Sequence, residues 1–126
     1  MNASRPERID RAHRMRSSLE FAAVKREGRV VRGQHGLLLV ADRPGEPTRV
    51  GFIASKKGVG GAVQRNRARR RLREIVRRRW PRMPETGRWL VLVAFRSCLT
   101  APHPELVADV ERLLVEAGAL SASEAT

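Results

Sequence analysis

The stretch KKGVGGAVQRNRARRRLREIVRRRWP, residues 56–81, decides how this chain is read. Gly58, Gly60 and Gly61 weaken helix and strand alike, so residues 56–61 read as a loop. From Ala62 to Arg79 there is neither Gly nor Pro, and Pro81 stops whatever begins there. Projected at about 100° per residue, Ala68, Leu72, Ile75 and Val76 share one face, while Asn66, Arg70, Arg73 and Arg77 gather opposite them. The spacing predicts one helix over 62–79 with its apolar back on a core and a guanidinium rail toward solvent. Such a rail is about 25 Å long, enough to follow several phosphates. The glycine loop entering the helix N-terminus adds free N–H groups that favour an anion.

Working outward, residues 36–42 (GLLLVAD) read as a buried strand ending at the turn chemistry of Asp42-Arg43-Pro44-Gly45, and residues 48–55 (TRVGFIAS) as a second strand. These two are expected to form a hairpin, with residues 29–32 extended before them. Ser17-Ser18-Leu19-Glu20 fits a capping box, opening a short helix that places Phe21 and Val24 on one face and ends at Gly28 as a left-handed residue. Residues 89–95 (WLVLVAF) are almost wholly apolar, the pattern of a central strand buried on both faces. Pro104 and Glu105 open a last helix with Leu106, Val107, Val110, Leu113, Leu114 and Ala117 on one side, closed by Gly118. The expected order is α-β-β-β-α-β-α, an α/β chain with one domain over 14–118. A mobile basic arm over 1–13 and a frayed tail over 119–126 flank it.

Composition narrows the function. The 126 residues carry 26 Lys and Arg against 13 Asp and Glu, a formal net charge of +13. Residues 55–79 hold eleven of those cations against the single acid Glu74. So few acids leave the mutual repulsion of the arginines largely unbalanced within the helix, and a bound polyanion resolves it. All but three of the cations are Arg, whose planar fork binds phosphate in bidentate fashion and stacks on bases. Cys98 is the lone cysteine, which excludes an internal disulfide and a cysteine-rich zinc cluster. His13, His35 and His103 show no metal-ligand spacing and read as surface residues. Gly58-Val59-Gly60-Gly61-Ala62-Val63 lacks the last glycine of a dinucleotide loop, and no Lys-Ser/Thr pair follows for a P-loop. No acid cluster is available for Mg²⁺, so no catalytic residue, bound metal or small-molecule substrate is expected on this chain. The longest apolar runs fall far short of the roughly 20 residues of a membrane span, so a cytoplasmic location without membrane contact is expected. An RNA binder, a duplex-DNA binder and the subunit of an RNA-dependent enzyme all remain open on these grounds.

Ser55-Lys56-Lys57, then Ala62-Val63-Gln64-Arg65-Asn66-Arg67, then Arg69-Arg70-Arg71-Leu72-Arg73-Glu74, together resemble the signature of the protein subunit of bacterial ribonuclease P. Residues 14–21 with Val24 and Gly28 are similar to that family's first helix, and Arg49-Val50-Gly51-Phe52 to the strand entering the motif. The resemblance implies a sandwich related to a ribosomal-protein domain, with a four-stranded sheet and a left-handed βαβ crossover where a right-handed one would be the default. It further implies binding to a large catalytic RNA that, with Mg²⁺, removes the 5′ leader of precursor tRNA. Carried over by position, Lys56, Lys57, Arg65, Asn66, Arg67, Arg69, Arg70, Arg71, Arg73 and Arg77 are expected to contact RNA. Phe21, Lys25, Leu39, Ser55 and Lys56 are expected to border the leader cleft. Lys25 and Leu39 stand where the family often has aromatic residues, so stacking in this cleft rests on Phe21, and weak discrimination of leader bases is expected. The competing reading is a structural RNA-binding protein, ribosomal or chaperone-like, with no enzyme attached.

Overall fold

The structure, a computed structural model, describes residues 6–121. Four strands, β1 (Arg29–Arg32), β2 (Gly36–Pro47), β3 (Arg49–Ile53) and β4 (Thr86–Ala94), form one sheet in the order β1-β2-β4-β3. β4 runs antiparallel to β2 and parallel to β3. Helix α1 (Ser18–Glu27) precedes β1, α2 (Ala62–Arg79) crosses from β3 to β4, and α3 (His103–Glu116) closes the chain.

Strand alternation sends side chains to two separate cores. Leu38, Val40, Val50, Leu90 and Leu92 face α2 and α3, joining Ala68, Leu72, Ile75, Val76, Leu106, Val110, Leu113 and Leu114. Leu39, Ala41, Trp89 and Val91 face the other way, where Met15 and Val24 complete a smaller cluster and Phe21 packs on its border. Leu90, Val91 and Leu92 are at most 1 % exposed, so β4 is buried on both faces as its apolar run predicts.

The expected β2–β3 hairpin does not form. β4 lies between those strands, and β2 continues through the Pro44-Gly45 region as far as Pro47, with an irregularity in register between Arg43 and Pro47. A strand apolar on both faces gains most from a central place with a neighbour on each edge, which overrides the local turn signal. The hairpin in the structure is β1–β2. Its turn is closed by the Gly33 N–H donating to the Gly36 carbonyl at 2.8 Å. Asp109 of α3 is buried beneath it and accepts the N–H groups of Gln34 at 3.0 Å and His35 at 2.9 Å. His35 is likewise buried rather than a surface residue, with Nδ1 2.8 Å from Ser97 Oγ and Nε2 2.8 Å from Glu105.

Two ends also differ from expectation. Ile9 is buried in the larger core, residues 11–13 form a 3-10 turn, and Arg14 bridges to Val50, so order starts within the segment read as an arm. Ala119 and Leu120 are buried, so the core runs past Gly118. The rest of the arm, residues 1–5, and of the tail, residues 122–126, lies outside the described residues.

The capping box forms as the sequence predicts: the Glu20 N–H donates to Ser17 Oγ at 3.1 Å and the Ser17 N–H to Glu20 Oε1 at 3.2 Å. Gly28 does end α1, but with extended backbone at φ −80° rather than a left-handed one. Glycine is required there because a Cβ would lie 2.6 Å from the Val24 carbonyl oxygen and 3.0 Å from that of Val40. Partial burial acts to raise the Glu20 pKa, but the N–H groups of Arg16 and Ser17 and the guanidinium of Arg49 outweigh it and hold the carboxyl below its ordinary value.

Asp109→Ala leaves the buried His35 N–H and the more exposed Gln34 N–H without their partner and is expected to destabilise the fold by about 2 kcal/mol in denaturant titration, with little change for a surface control such as Glu116→Ala. Because the Glu20 pKa is lowered by folding, its contribution is present above the ordinary value of 4.5 and fades as pH falls through the folded value. Glu20→Gln is therefore expected to lower stability near neutral pH and to flatten the acid side of the stability profile, measured as denaturation midpoint against pH.

Candidate nucleic-acid interface

The loop ahead of α2 is pinned from below. Val59 is fully buried, its N–H donates to the Ser55 carbonyl at 2.8 Å, and the Gly58 N–H donates to Ser55 Oγ at 2.8 Å. Gly60 has φ +142°, a conformation that L side chains rarely adopt. Ser55, Lys56 and Lys57 are thereby exposed at the N-terminal end of α2.

Along α2 the predicted apolar back, Ala68, Leu72, Ile75 and Val76, is the face that is buried. Asn66, Arg67, Arg70 and Arg73 are exposed on the outer side. Arg65 is half-buried with its Nε unpartnered, and Arg69 donates to the Asn66 side-chain carbonyl. Glu74 is engaged by Arg77 and Arg78, whose guanidiniums hold its carboxyl below the ordinary range.

Not every arginine of the motif belongs to this surface. Arg71 donates from Nη1 to the Cys98 carbonyl at 2.7 Å and from Nη2 to the Ala101 carbonyl at 2.8 Å. Its fork ties α2 to the 3-10 turn after β4, so this arginine of the expected RNA contacts also has a structural role. Arg79 pairs with Glu111 of α3 at 2.6 Å. Arg77 is divided, pairing with Glu74 while donating to the Glu7 carbonyl at 2.8 Å.

Beside this rail runs a cleft of about 400 Å³ along the open edge of β3. α1 covers one face of the sheet and α2 the other, and the cavity opens between them. Phe21, Met15 and Gly51 form one wall, and Phe52, Arg73 and Arg77 the other, with Arg8, Ile9 and Arg14 across the end. The Arg73 guanidinium lies 5.4 Å from the centre of the Phe52 ring. Gly51 is a matter of space: a Cβ there would lie 2.6 Å from Phe21 Cε1. Phe21 packs against the smaller core and also lines the cleft.

The other expected cleft residues are not in its lining. Leu39 is buried on β2, away from the β3 edge; Lys25 lies exposed one turn beyond Phe21; Ser55 and Lys56 follow the end of β3. Phe52, Arg8, Ile9 and Arg14 take part instead. The β3 alternation places Phe52 with Val50, which the sequence carries, and Ile9 is an isolated apolar residue in a polar stretch. Among the described residues no group of three or more His, Cys, Asp or Glu is placed to hold a metal ion, and no helix is long and apolar enough to cross a membrane.

Comparison with known proteins agrees with this architecture. Residues 9–118 match the family model described as Ribonuclease P. The ribonuclease P protein component of Symbiobacterium thermophilum is 44 % identical over 113 residues, covering 89 % of this chain and 96 % of the relative. That of Acidothermus cellulolyticus is 42 % identical over 106 residues, covering 81 % and 85 %. Among solved structures, the Staphylococcus aureus RNase P protein superposes with a TM-score of 0.75 at 20 % identity, covering 88 % of this chain and 100 % of its own. The Thermotoga maritima RNase P protein gives 0.71 at 22 %, covering 82 % and 96 %. With a family match over nearly all of its described residues and close relatives along almost their whole length, this chain belongs to the ribonuclease P protein family.

Proposed function

We propose that the chain serves as the protein component of ribonuclease P, holding the catalytic RNA on the outer face of α2 and the 5′ leader of precursor tRNA in the cleft along β3. The observation that carries this reading is the adjacency of two surfaces with different chemistry. The rail of Arg67, Arg70 and Arg73 offers charge without rings, which suits a phosphate backbone and reads no sequence. The cleft offers Phe21 and Phe52 with cations at its margins, which suits a single strand whose bases stack while its phosphates stay near charge. Arg73 belongs to both and joins them.

Among the described residues no group of three or more His, Cys, Asp or Glu is placed to hold a metal ion, and in this reading hydrolysis belongs to the RNA with its Mg²⁺. The protein contributes by neutralising phosphate where two RNAs approach each other and by fixing the leader relative to the cleavage point. Membership of the ribonuclease P family favours this reading over a ribosomal or chaperone role, and a cytoplasmic location follows from the partners. Because rings stack on any base, the cleft is expected to discriminate leader sequence weakly.

Arg67→Ala combined with Arg70→Ala is expected to weaken binding to the catalytic RNA by roughly tenfold or more while the cleaved phosphodiester stays the same, as read by gel analysis of the released leader. Arg71→Ala is expected to behave differently, lowering the thermal midpoint through loss of two buried carbonyl partners. Addition of the protein should accelerate processing most at low Mg²⁺, where phosphate repulsion is least screened; equal rates with and without protein would refute the reading. Phe21→Ala should weaken binding of leader-bearing substrate to a similar degree for leaders of different sequence.

A further inference from the structure

The β3 edge carries a second cavity beyond the cleft, and Arg14 lines both. It measures about 400 Å³ and is bounded by Arg11, Ala12, Arg14, Arg16, Glu20 and Arg49. Four guanidiniums thus meet one carboxylate, and that carboxylate is already engaged. Glu20 accepts the N–H groups of Arg16 at 2.9 Å and Ser17 at 3.2 Å and pairs with Arg49. Arg49 Nε is buried without a partner, and Arg11 and Arg16 are exposed and in no ion pair among the described residues.

Arginines so placed repel one another, so the fold must hold them there. Arg14 donates from Nε to the Ile9 carbonyl at 3.0 Å and bridges to Val50, Arg16 is tied through its N–H to Glu20, and Arg49 sits in β3. The Arg14 and Arg49 side chains and the backbone of Arg16 are therefore in place before any ligand arrives. Guanidinium forks match the paired oxygens of a phosphodiester. No aromatic side chain lines the cavity, so it has nothing on which to stack a base.

We propose that this cavity binds a backbone phosphate of the same single strand whose bases occupy the Phe21–Phe52 cleft, so that the leader path continues across Arg14 to the Arg11–Arg16 cluster. This inference rests on the proposed leader-binding role and extends it to nucleotides beyond the cleft.

The test uses the full chain reconstituted with the catalytic RNA and precursor tRNAs that differ only in leader length, with equilibrium binding as readout. Arg11→Ala with Arg16→Ala is the informative variant, because both side chains are exposed and make no ion pair that the fold would lose. The expected result is a roughly tenfold loss of affinity for a long leader, no loss for a leader cut to about two nucleotides, and a shallower dependence of long-leader binding on salt. Arg16→Lys should recover part of the loss. An equal loss at every leader length, a loss confined to catalytic-RNA binding, or no loss would overturn the inference. Failure of the unsubstituted chain to bind the catalytic RNA would instead overturn the proposed function, and the two failures are read in separate arms.

Discussion

The structure depends on the burial of β4 on both faces. Leu90 and Leu92 point into the core shared with α2 and α3, and Trp89 and Val91 into the smaller core under α1. A strand of this kind needs a layer of helix on each side and a hydrogen-bonded strand at each edge, because its apolar side chains and backbone groups alike must be removed from water. β2 takes one edge in antiparallel register and β3 the other in parallel register. A parallel neighbour requires a crossover, and α2 is that crossover. The helix that carries the exposed arginines is therefore also the element that makes the central strand possible.

The same constraint creates the cleft. With β4 in the middle, β3 becomes an edge strand, covered by α1 from one side and α2 from the other. An unprotected edge invites pairing with another chain. Here the segment around Arg14 and Met15 blunts it at Val50, the Met15 N–H donating to the Val50 carbonyl at 3.0 Å. The remaining length is lined with rings and guanidiniums. Gly51 permits this arrangement, since the Phe21 ring lies where any side chain at position 51 would begin.

Charge on α2 is sorted by tertiary contact rather than by sequence. Arg71 and Arg79 find carbonyls and a carboxylate on neighbouring elements and stiffen the fold, whereas Arg67, Arg70 and Arg73 project outward. Their positive charge lies over the buried apolar back of α2. Cys98 lies beneath this region, its thiol pushed up by burial, which leaves it a packing residue rather than a reactive one.

The sequence by itself determined the elements whose period is unambiguous: α2 from Ala62 to Arg79 with its buried face, the capped start of α1, the doubly buried strand around Leu90, and the basic address that the Arg-Asn-Arg signature occupies. These are local properties, written in spacing and in the presence or absence of Gly and Pro. Tertiary structure alone decided which strands pair, because the turn chemistry at Asp42-Arg43-Pro44-Gly45 favours a hairpin and only the demand of β4 for two neighbours defeats it. It also decided that His35 and Asp109 would be buried beside the β1–β2 turn, that Ile9 would enter the core, and that Arg71 would reach the Cys98 and Ala101 carbonyls. The physical reason is common to all of these: a side chain's partner across the fold is set by what the packed layers bring beside it, and residues distant in the chain leave no periodic trace of one another.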